Sequence, residues 1–282
     1  MDDVIRMAVD IESFAYDDGI EALSGVRLDV HSGEFIGILG SNGSGKTTLL
    51  KVMDGLAPSY RGRVLLDGLD IRSLSPKQIY GKVGLIFQNP DEQLFAPTVF
   101  EDVCFGPLNM GLDRDEVARR VEHALKAVEM DGLGGRSIQH LSFGQKKRVC
   151  IAGLLAMGHE ILLLDEPTAG LDPMGEYKMM QLLMRLNHEQ GVTIVMATHS
   201  VDLVPLFLDR LAILSRGRIV RLGPPAEVFT APGDMTRVKL RLPQIAELIH
   251  RLKHEDKMPF EKIPLTIGEA RREIVKAFGQ RG

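Results

Sequence analysis

A glycine-rich stretch between an apolar run and a helix-forming run has the residues needed to hold phosphate groups. It fits the pattern G-x-x-x-x-G-K-[ST], and its residues are Gly40, Ser41, Asn42, Gly43, Ser44, Gly45, Lys46 and Thr47. Glycines let the backbone turn its N–H groups towards phosphate oxygens, and the start of the following helix adds partial positive charge. Lys46 supplies a full charge, and the Thr47 hydroxyl is placed for Mg²⁺. The stretch predicts a nucleotide site, and the alternative is a chance match in a loop rich in Gly and Ser.

Other polar side chains directly follow short apolar runs that are typical of buried strands: Gln88, Asp165, Glu166 and His199. Asp165 can hold Mg²⁺, directly or through water, and Glu166 can polarise an attacking water or accept its proton. Gln88 can reach the metal and that water, while His199 can contact a terminal phosphate and keep Glu166 oriented. The set suits phosphoryl transfer from a nucleotide. For the two adjacent carboxylates, the alternative is a solvated strand end.

The elements that must position these groups alternate between strand and helix. Apolar segments predict strands at 7–16, 26–30, 35–39, 63–68, 83–87, 161–164 and 192–196, with a hairpin at 211–220. Helices are predicted at 47–53, 146–157 and 174–189, with a helical insertion at 99–136. This alternation favours a mostly parallel sheet covered on both faces, with functional groups at the carboxyl ends of its strands. We therefore expect the phosphate loop and the four polar side chains to converge on one rim.

Several side chains carry predictions about packing. A capping pair, Asp113 with Glu116, precedes an apolar stripe in the insertion: Val117, Val121, Leu125 and Val128. Ser142 occupies the N-cap position of the next helix. Four methionines are expected to fill the core rather than form a binding surface: Met174, Met179, Met180 and Met184. The two cysteines, Cys104 and Cys150, are expected to be small core residues in a reduced, intracellular compartment.

Composition limits the class of protein. A chain of 282 residues can bury one good core, or one core and a small second domain. Hydrophobic residues make up 44% and charged residues 26%, as in ordinary globular proteins. The net charge of −4 argues against general binding to nucleic acid or anionic lipid. Neither a signal peptide nor a membrane-spanning segment is expected, so any membrane contact would be made through partners.

Taken in order along residues 1 to about 222, these motifs resemble those of the ATPase subunits of ABC transporters. The matching features are the aromatic A-loop at Tyr16, Walker A at 40–47, the Q-loop at Gln88, the signature at 141–145, Walker B ending at Asp165 with Glu166, the D-loop at 169–172 and the switch His199. The resemblance implies an α/β fold, a P-loop NTPase of ABC ATPase type. Its parts are a RecA-like parallel-sheet core with an antiparallel β subdomain, a helical subdomain at about 92–158 and a small C-terminal α extension at 223–282.

The resemblance also assigns roles in ATP hydrolysis with Mg²⁺. The residues implied for catalysis are Lys46, Gln88, Glu166 and His199. Those implied for the metal are Thr47, Gln88 and Asp165. Nucleotide contacts within the chain are implied for Tyr16, residues 40–47 and Thr48. Tyr16 could stack on adenine, although a core tyrosine at a strand end is the alternative reading.

The signature implies that two ATPase subunits pair head to tail around two ATP molecules. In the family, the signature serine and glycine contact the γ-phosphate bound by the other subunit, and here these residues are Ser142 and Gly144. Gln145 and Asp172 are included among the nucleotide-binding residues on the same resemblance. Phe143 departs from the usual L-S-G-G-Q, but the residues assigned to phosphate are intact, so function is expected to survive. Whether the second ATPase subunit is an identical chain stays open.

A narrower resemblance is to the energy-coupling-factor group, the A component of importers of cobalt, nickel or vitamins. The segments that carry it are 88–95, 98–103, 242–248 and 264–266. It implies a peripheral protein at the cytoplasmic face of the cell membrane. Its partners there would be a transmembrane T component, received in a groove beside 88–95, and a substrate-capture membrane subunit that chooses the solute. The alternatives are an ATPase of another ABC importer, a non-transport ABC ATPase of DNA repair or chromosome handling, and a soluble ATPase for cofactor assembly.

Overall fold

The computed structural model describes residues 4–229, 235, 238 and 240–278. The strands in these residues are β1 (Ile5–Ala15), β2 (Glu21–His31), β3 (Phe35–Leu39), β4 (Tyr60–Leu66), β5 (Leu69–Asp70), β6 (Val83–Ile86), β7 (Ile161–Asp165), β8 (Thr193–Thr198), β9 (Arg210–Ser215) and β10 (Arg218–Gly223). The α-helices are α1 (Lys46–Met53), α2 (Pro76–Tyr80), α3 (Val99–Asn109), α4 (Arg114–Ala127), α5 (Phe143–Met157), α6 (Pro173–Gln190), α7 (Val204–Phe207), α8 (Pro225–Val228), α9 (Gln244–His254) and α10 (Ile267–Phe278).

A six-stranded sheet with the order β10-β9-β3-β8-β7-β6 forms the centre of the fold. Its strands are parallel from β9 to β6, and β10 pairs with β9 in the antiparallel direction. A second, four-stranded antiparallel sheet has the order β2-β1-β4-β5. The predicted parallel-sheet core with an antiparallel β subdomain is therefore confirmed.

Successive residues of the central strands face two different cores, because side chains alternate across a strand. In β7, Leu162 and Leu164 pack into a core shared with helices α3 to α6. Ile161 and Leu163 pack on the other face, against α1 and the antiparallel sheet. Both faces of this sheet are thus covered, which explains why its strands are continuously apolar.

The helical insertion consists of two helices, α3 and α4, which both pack on α5. Its predicted apolar stripe is buried in the larger core. Thr98 and Glu101 form a capping box at the start of α3, and the Asp113 carboxylate accepts hydrogen bonds from the first backbone N–H groups of α4. A turn therefore divides the stretch predicted as one helical insertion.

Helix α5 begins at Phe143, three residues before the predicted start, because Ser142 and Gln145 cap each other reciprocally. Both cysteines are buried and unpaired, as predicted. Met174 is 61% exposed, so the expectation that it fills the core was wrong. It occupies the first turn of α6, on the helix face opposite the buried Leu183.

The chain after β10 contributes to the same core as the ATPase motifs. Val228, Phe229, Met235, Leu242 and Ala246 are buried in the larger cluster. A smaller cluster, centred on residues 249, 260 and 270, holds α9 and α10 together. The boundaries at 222/223 and at about 92–158 stay predictions. None of the helices in the described part of the chain has the length and apolar character required to span a bilayer.

Candidate active site

A solvent-open cleft with a volume of about 640 Å³ lies at the carboxyl ends of the parallel strands. It is lined by Tyr16, Ile20, Glu21, Ala22, residues 42–48, Gln88, Asp165, Glu166, His199, Arg216 and Gly217. The predicted convergence on one rim is therefore what the structure shows. Four different strands deliver these side chains: the phosphate loop follows β3, Gln88 follows β6, the carboxylates end β7 and His199 follows β8.

The phosphate loop wraps around the side chain of Lys46. The buried ammonium donates hydrogen bonds to the carbonyl oxygens of Gly40 at 2.8 Å and Ser41 at 3.4 Å. Gly45 has a φ of 107°, and a Cβ there would lie 2.7 Å from the carbonyl oxygen of Ala22, so only glycine fits. The buried Ser44 hydroxyl has no hydrogen-bond partner. These unsatisfied and positively charged groups match what a bound phosphate requires.

Thr47 and Asp165 meet at the side of the cleft predicted to hold a metal. The Thr47 hydroxyl donates to Oδ2 of Asp165 at 2.6 Å, while the buried Oδ1 atom of that carboxylate has no partner. Burial raises the pKa of Asp165, and the hydrogen bond from Thr47 opposes the rise. A buried carboxylate oxygen without a partner, beside the Thr47 hydroxyl and in the same cleft as Gln88, fits a Mg²⁺ ion, which prefers oxygen ligands.

Glu166 lines the cleft and is only 5% exposed. One carboxylate oxygen lies 2.9 Å from Nδ1 of His199, and the other lies 3.4 Å from Nζ of Lys46. The backbone of Glu166 is left-handed, with a φ of 50°. The alternative of a solvated strand end is therefore wrong, and the predicted contact that orients Glu166 through His199 is present.

Tyr16 stands at the outer edge of the cleft with 46% of its surface exposed. Its hydroxyl is 2.7 Å from the hydroxyl of Thr48, and its ring packs edge-on against Phe14 at 5.1 Å between centroids. The alternative of a buried core tyrosine is therefore wrong. A fixed, exposed ring beside the phosphate loop leaves one aromatic face available, and its stacking on adenine stays a prediction.

The residues of the signature and Asp172 do not line this cleft. The Ser142 hydroxyl accepts from the N–H of Gln145, and Gly144 lies in the same first turn of α5. The Asp172 carboxylate accepts from the N–H of Gly175 at the start of α6. All of them lie at helix N-termini, where backbone N–H groups favour anions. The assignment of Ser142 and Gly144 to ATP of another subunit, and of Gln145 and Asp172 to nucleotide binding, stays a prediction.

Sequence reasoning missed two features of the site. The turn between β9 and β10, at Arg216 and Gly217, forms part of the cleft wall, as do residues 20–22 before and within β2. Lys147 is 2% exposed and donates to the main-chain carbonyl oxygen of Glu166 at 2.9 Å. Burial lowers its pKa to about 8, which leaves it mostly charged at neutral pH. A lysine on the apolar face of α5 was the signal that could have revealed it.

Comparisons with known proteins agree with this geometry. The family model described as ABC transporter matches residues 23–169. A putative ABC transporter ATP-binding protein of Geobacter sulfurreducens is 72% identical over 272 residues, 96% of this chain and 98% of the relative. The energy-coupling factor transporter ATP-binding protein EcfA of Methanocaldococcus jannaschii is 49% identical over 264 residues, 93% of this chain and 94% of the relative.

Two solved structures extend the comparison. The first is cbiO1 from Clostridium perfringens, described as part of the ABC transporter complex cbiONQ. It is 41% identical, with a TM-score of 0.77 over 88% of this chain and all of that one. The second, the ATP-binding cassette MJ0796 in a dimeric post-hydrolysis state with ADP and Pi, is 29% identical, with a TM-score of 0.67 over 78% and 98% of the two chains. This chain therefore belongs to the ABC transporter family, as an ATP-binding ATPase subunit of the energy-coupling-factor type.

Proposed function

We propose that this ATPase works as one of a pair of subunits that drive the import of a metal ion, such as cobalt or nickel, or of a vitamin. The observation that carries the proposal is the position of Glu166. Its carboxylate lines the cleft but is buried, is oriented by His199, and lies close to the lysine of the phosphate loop. That arrangement suits activation of a water molecule beside a bound γ-phosphate.

The chemistry within the chain follows from the groups in the cleft. Lys46 exchanges its contacts with loop carbonyls for contacts with phosphate oxygens, where its charge opposes the charge that develops during transfer. Glu166 accepts a proton from the attacking water, and His199 keeps that carboxylate in place. Thr47, Asp165 and Gln88 would hold Mg²⁺, which neutralises phosphate charge when it is bound.

A second ATPase subunit completes the site in this proposal. Its support is that the N-terminal turn of α5, with Ser142 and Gly144, lies outside the cleft of its own chain. An N-terminal turn that presents backbone N–H groups is suited to the γ-phosphate held by another subunit. The dimeric state described for MJ0796 fits the same arrangement. ATP then closes the pair, and hydrolysis releases it, because only ATP offers a γ-phosphate to both subunits.

The membrane partner would contact a groove that we call the Q-loop groove, lined by Asp91, residues 94–97, residues 137–139 and Lys146, with a volume of about 410 Å³. Asp91 bridges to Lys146 at 2.6 Å, which ties the segment after the Q-loop to α5. Phe95 is 65% exposed and packs edge-on against Phe105, which is also exposed. An exposed aromatic pair beside a groove suits an apolar helix of a transmembrane T component.

The solute and the location follow from the partners in this proposal. A separate substrate-capture membrane subunit selects the solute, because the nucleotide cleft is the site that this chain itself provides. The protein is peripheral at the cytoplasmic face of the cell membrane, where it meets ATP and the T component. The description of cbiO1 as part of a transporter complex supports a membrane assembly of this kind.

The substitution Glu166→Gln tests the proposal. It removes the base but keeps the shape of the side chain, so we expect hydrolysis to fall by about 10²-fold to 10⁴-fold while ATP binding is retained. The trapped ATP should convert the protein to a dimer in gel filtration with Mg²⁺. A protein that stays monomeric at saturating ATP would contradict the paired site. Glu189→Gln, at an exposed position near the C-terminal end of α6 and outside the lining of the cleft, is the matched control and should behave as wild type.

A further inference from the structure

The ammonium of Lys147 lies beneath the catalytic strand end rather than in the cleft. Helix α5 delivers it from its second turn, and its Nζ atom donates to the main-chain carbonyl oxygen of Glu166 at 2.9 Å. A charged donor to a buried carbonyl forms a strong hydrogen bond because water does not compete there. A link therefore runs from the helix of the signature to the backbone of Glu166.

Phe143, one turn before Lys147, joins the same helix to the D-loop. A Cβ placed on Gly170 would lie 2.9 Å from Cε1 of Phe143, so the ring lies directly against that glycine. The Lys147 ammonium is 5.1 Å from the centre of the ring, within the range of a cation–π contact. A Cβ placed on the neighbouring Gly144 would lie 3.3 Å from Cδ2 of Leu171. The first turn of α5 thus rests on residues 170–171.

The backbone of Glu166 needs such support. A non-glycine residue with positive φ is disfavoured, and the surrounding structure must hold it there. Its N–H donates to Ala197 at 3.0 Å, and its carbonyl accepts from the N–H of Ala169 at 3.1 Å as well as from Lys147. Lys147 supplies the one charged group among these three contacts.

We propose that Lys147 and Phe143 are positioning residues for ATP hydrolysis. They make the first turn of α5, the D-loop and the left-handed backbone of Glu166 a single rigid unit. In the proposed dimer, the surface of α5 that meets ATP of the second subunit is thereby connected to the carboxylate that acts on the chain's own ATP. Phe143, at the position where the usual signature has glycine, provides the contact between α5 and the D-loop. The inference rests on the proposed function.

The substitution Lys147→Met provides the main test. It preserves length and apolar contacts but leaves the Glu166 carbonyl with only the Ala169 donor. The substitution removes one hydrogen bond but also the cost of burying the ammonium, and the carbonyl keeps its Ala169 donor, so the melting temperature should stay close to that of the wild type. We expect kcat to fall about tenfold to a hundredfold, the size of effect seen when a catalytic group is slightly misplaced. KM for ATP should stay within about twofold, because Lys147 does not touch the nucleotide cleft.

The matched control is Lys126→Met, which removes an exposed lysine from α4 and should leave kcat unchanged. A general loss of folding would lower the melting temperature and the fraction of protein that binds ATP, whereas a positioning role lowers kcat alone. Wild-type kcat in Lys147→Met would overturn the inference. So would a rise in KM with kcat retained.

Phe143→Ala keeps the inference testable if Lys147→Met fails to fold, since the ring is partly exposed at the surface of α5. Alone it should lower kcat about threefold to tenfold. In the double variant with Lys147→Met, kcat should fall by less than the product of the two single decreases, because both residues support the same backbone of Glu166. If the two decreases in kcat simply multiply in the double variant, Lys147 and Phe143 act independently, which would contradict a shared role. If the wild type itself shows neither turnover nor ATP-dependent pairing, the proposed function fails; wild-type turnover with an unaffected Lys147→Met refutes only this inference.

Discussion

Asp54 is a buried carboxylate away from the cleft, and it makes the stability of the fold depend on pH. The residue caps the C-terminus of α1, is 5% exposed, and has an Oδ1 atom without a hydrogen-bond partner. Burial raises the pKa of Asp54 from its ordinary 3.8 to about 7. The helix end adds to the cost of a negative charge there, because carbonyl groups point towards it.

The sign of the effect follows from proton linkage. Between pH 4 and pH 7 the folded protein keeps the proton on Asp54, whereas the unfolded chain has lost it. The stabilisation is therefore complete below about pH 4 and is lost as the pH rises through about 7. At about 1.4 kcal/mol for each pH unit, the interval between the two pKa values corresponds to roughly 4 kcal/mol, an upper limit because the site can relax or admit water.

Asp54→Asn removes the ionisable group and keeps the shape. Its free energy of unfolding should match that of the wild type near pH 4 and exceed it by up to roughly 4 kcal/mol at pH 8. Urea titrations of the ATP-free protein at several pH values would measure the difference. Asp131→Asn, at an exposed position, is the control and should show no such trend. A difference that stays constant from pH 4 to pH 8 would refute the reasoning.

Two further predictions concern binding. Tyr16→Ala should weaken ATP binding by roughly fivefold to a hundredfold, as expected for loss of one base stacking contact of about 1–3 kcal/mol. Tyr16→Phe loses only the bond to Thr48 and should bind ATP with an affinity within a few-fold of the wild type. Equal ATP affinity of the wild type and both variants by calorimetry would rule out stacking. Phe95→Ala should leave the basal ATPase rate unchanged but reduce solute uptake in vesicles that contain the membrane subunits, and full uptake would exclude the Q-loop groove as the coupling surface.

Much of the fold was predictable because its central strands are continuously apolar and its catalytic groups follow them directly. Parallel strands place their carboxyl ends on one edge, so the meeting of Gln88, Asp165 and His199 follows from strand order alone. The N-terminus of α5 was predictable from Ser142, although its first turn lies earlier than the apolar pattern suggested. These features depend on local sequence and on one rule of sheet geometry.

The rest depended on packing between distant segments. The sequence predicts a helix around Lys147, but only the fold shows that the strand end carrying Glu166 lies against this side chain. The turn at Arg216 belongs to the cleft wall because β9 pairs with β3, a contact across about 170 residues that no short motif encodes. The exposure of Met174, by contrast, was predictable from helical periodicity, because at 100° per residue it lies on the face of α6 opposite the buried Leu183.

The burial of residues beyond β10 in the larger core has a practical consequence for dissecting the protein. Phe229, Leu242 and Ala246 pack with residues of the central sheet, so a stop after residue 222 would expose an apolar surface that the folded chain covers. Such a shortened protein would tend to aggregate even though every motif for ATP is present. A fluorescent or affinity tag joined after α10 would leave this packing intact, whereas one inserted between β10 and α8 would separate two parts that fold as one.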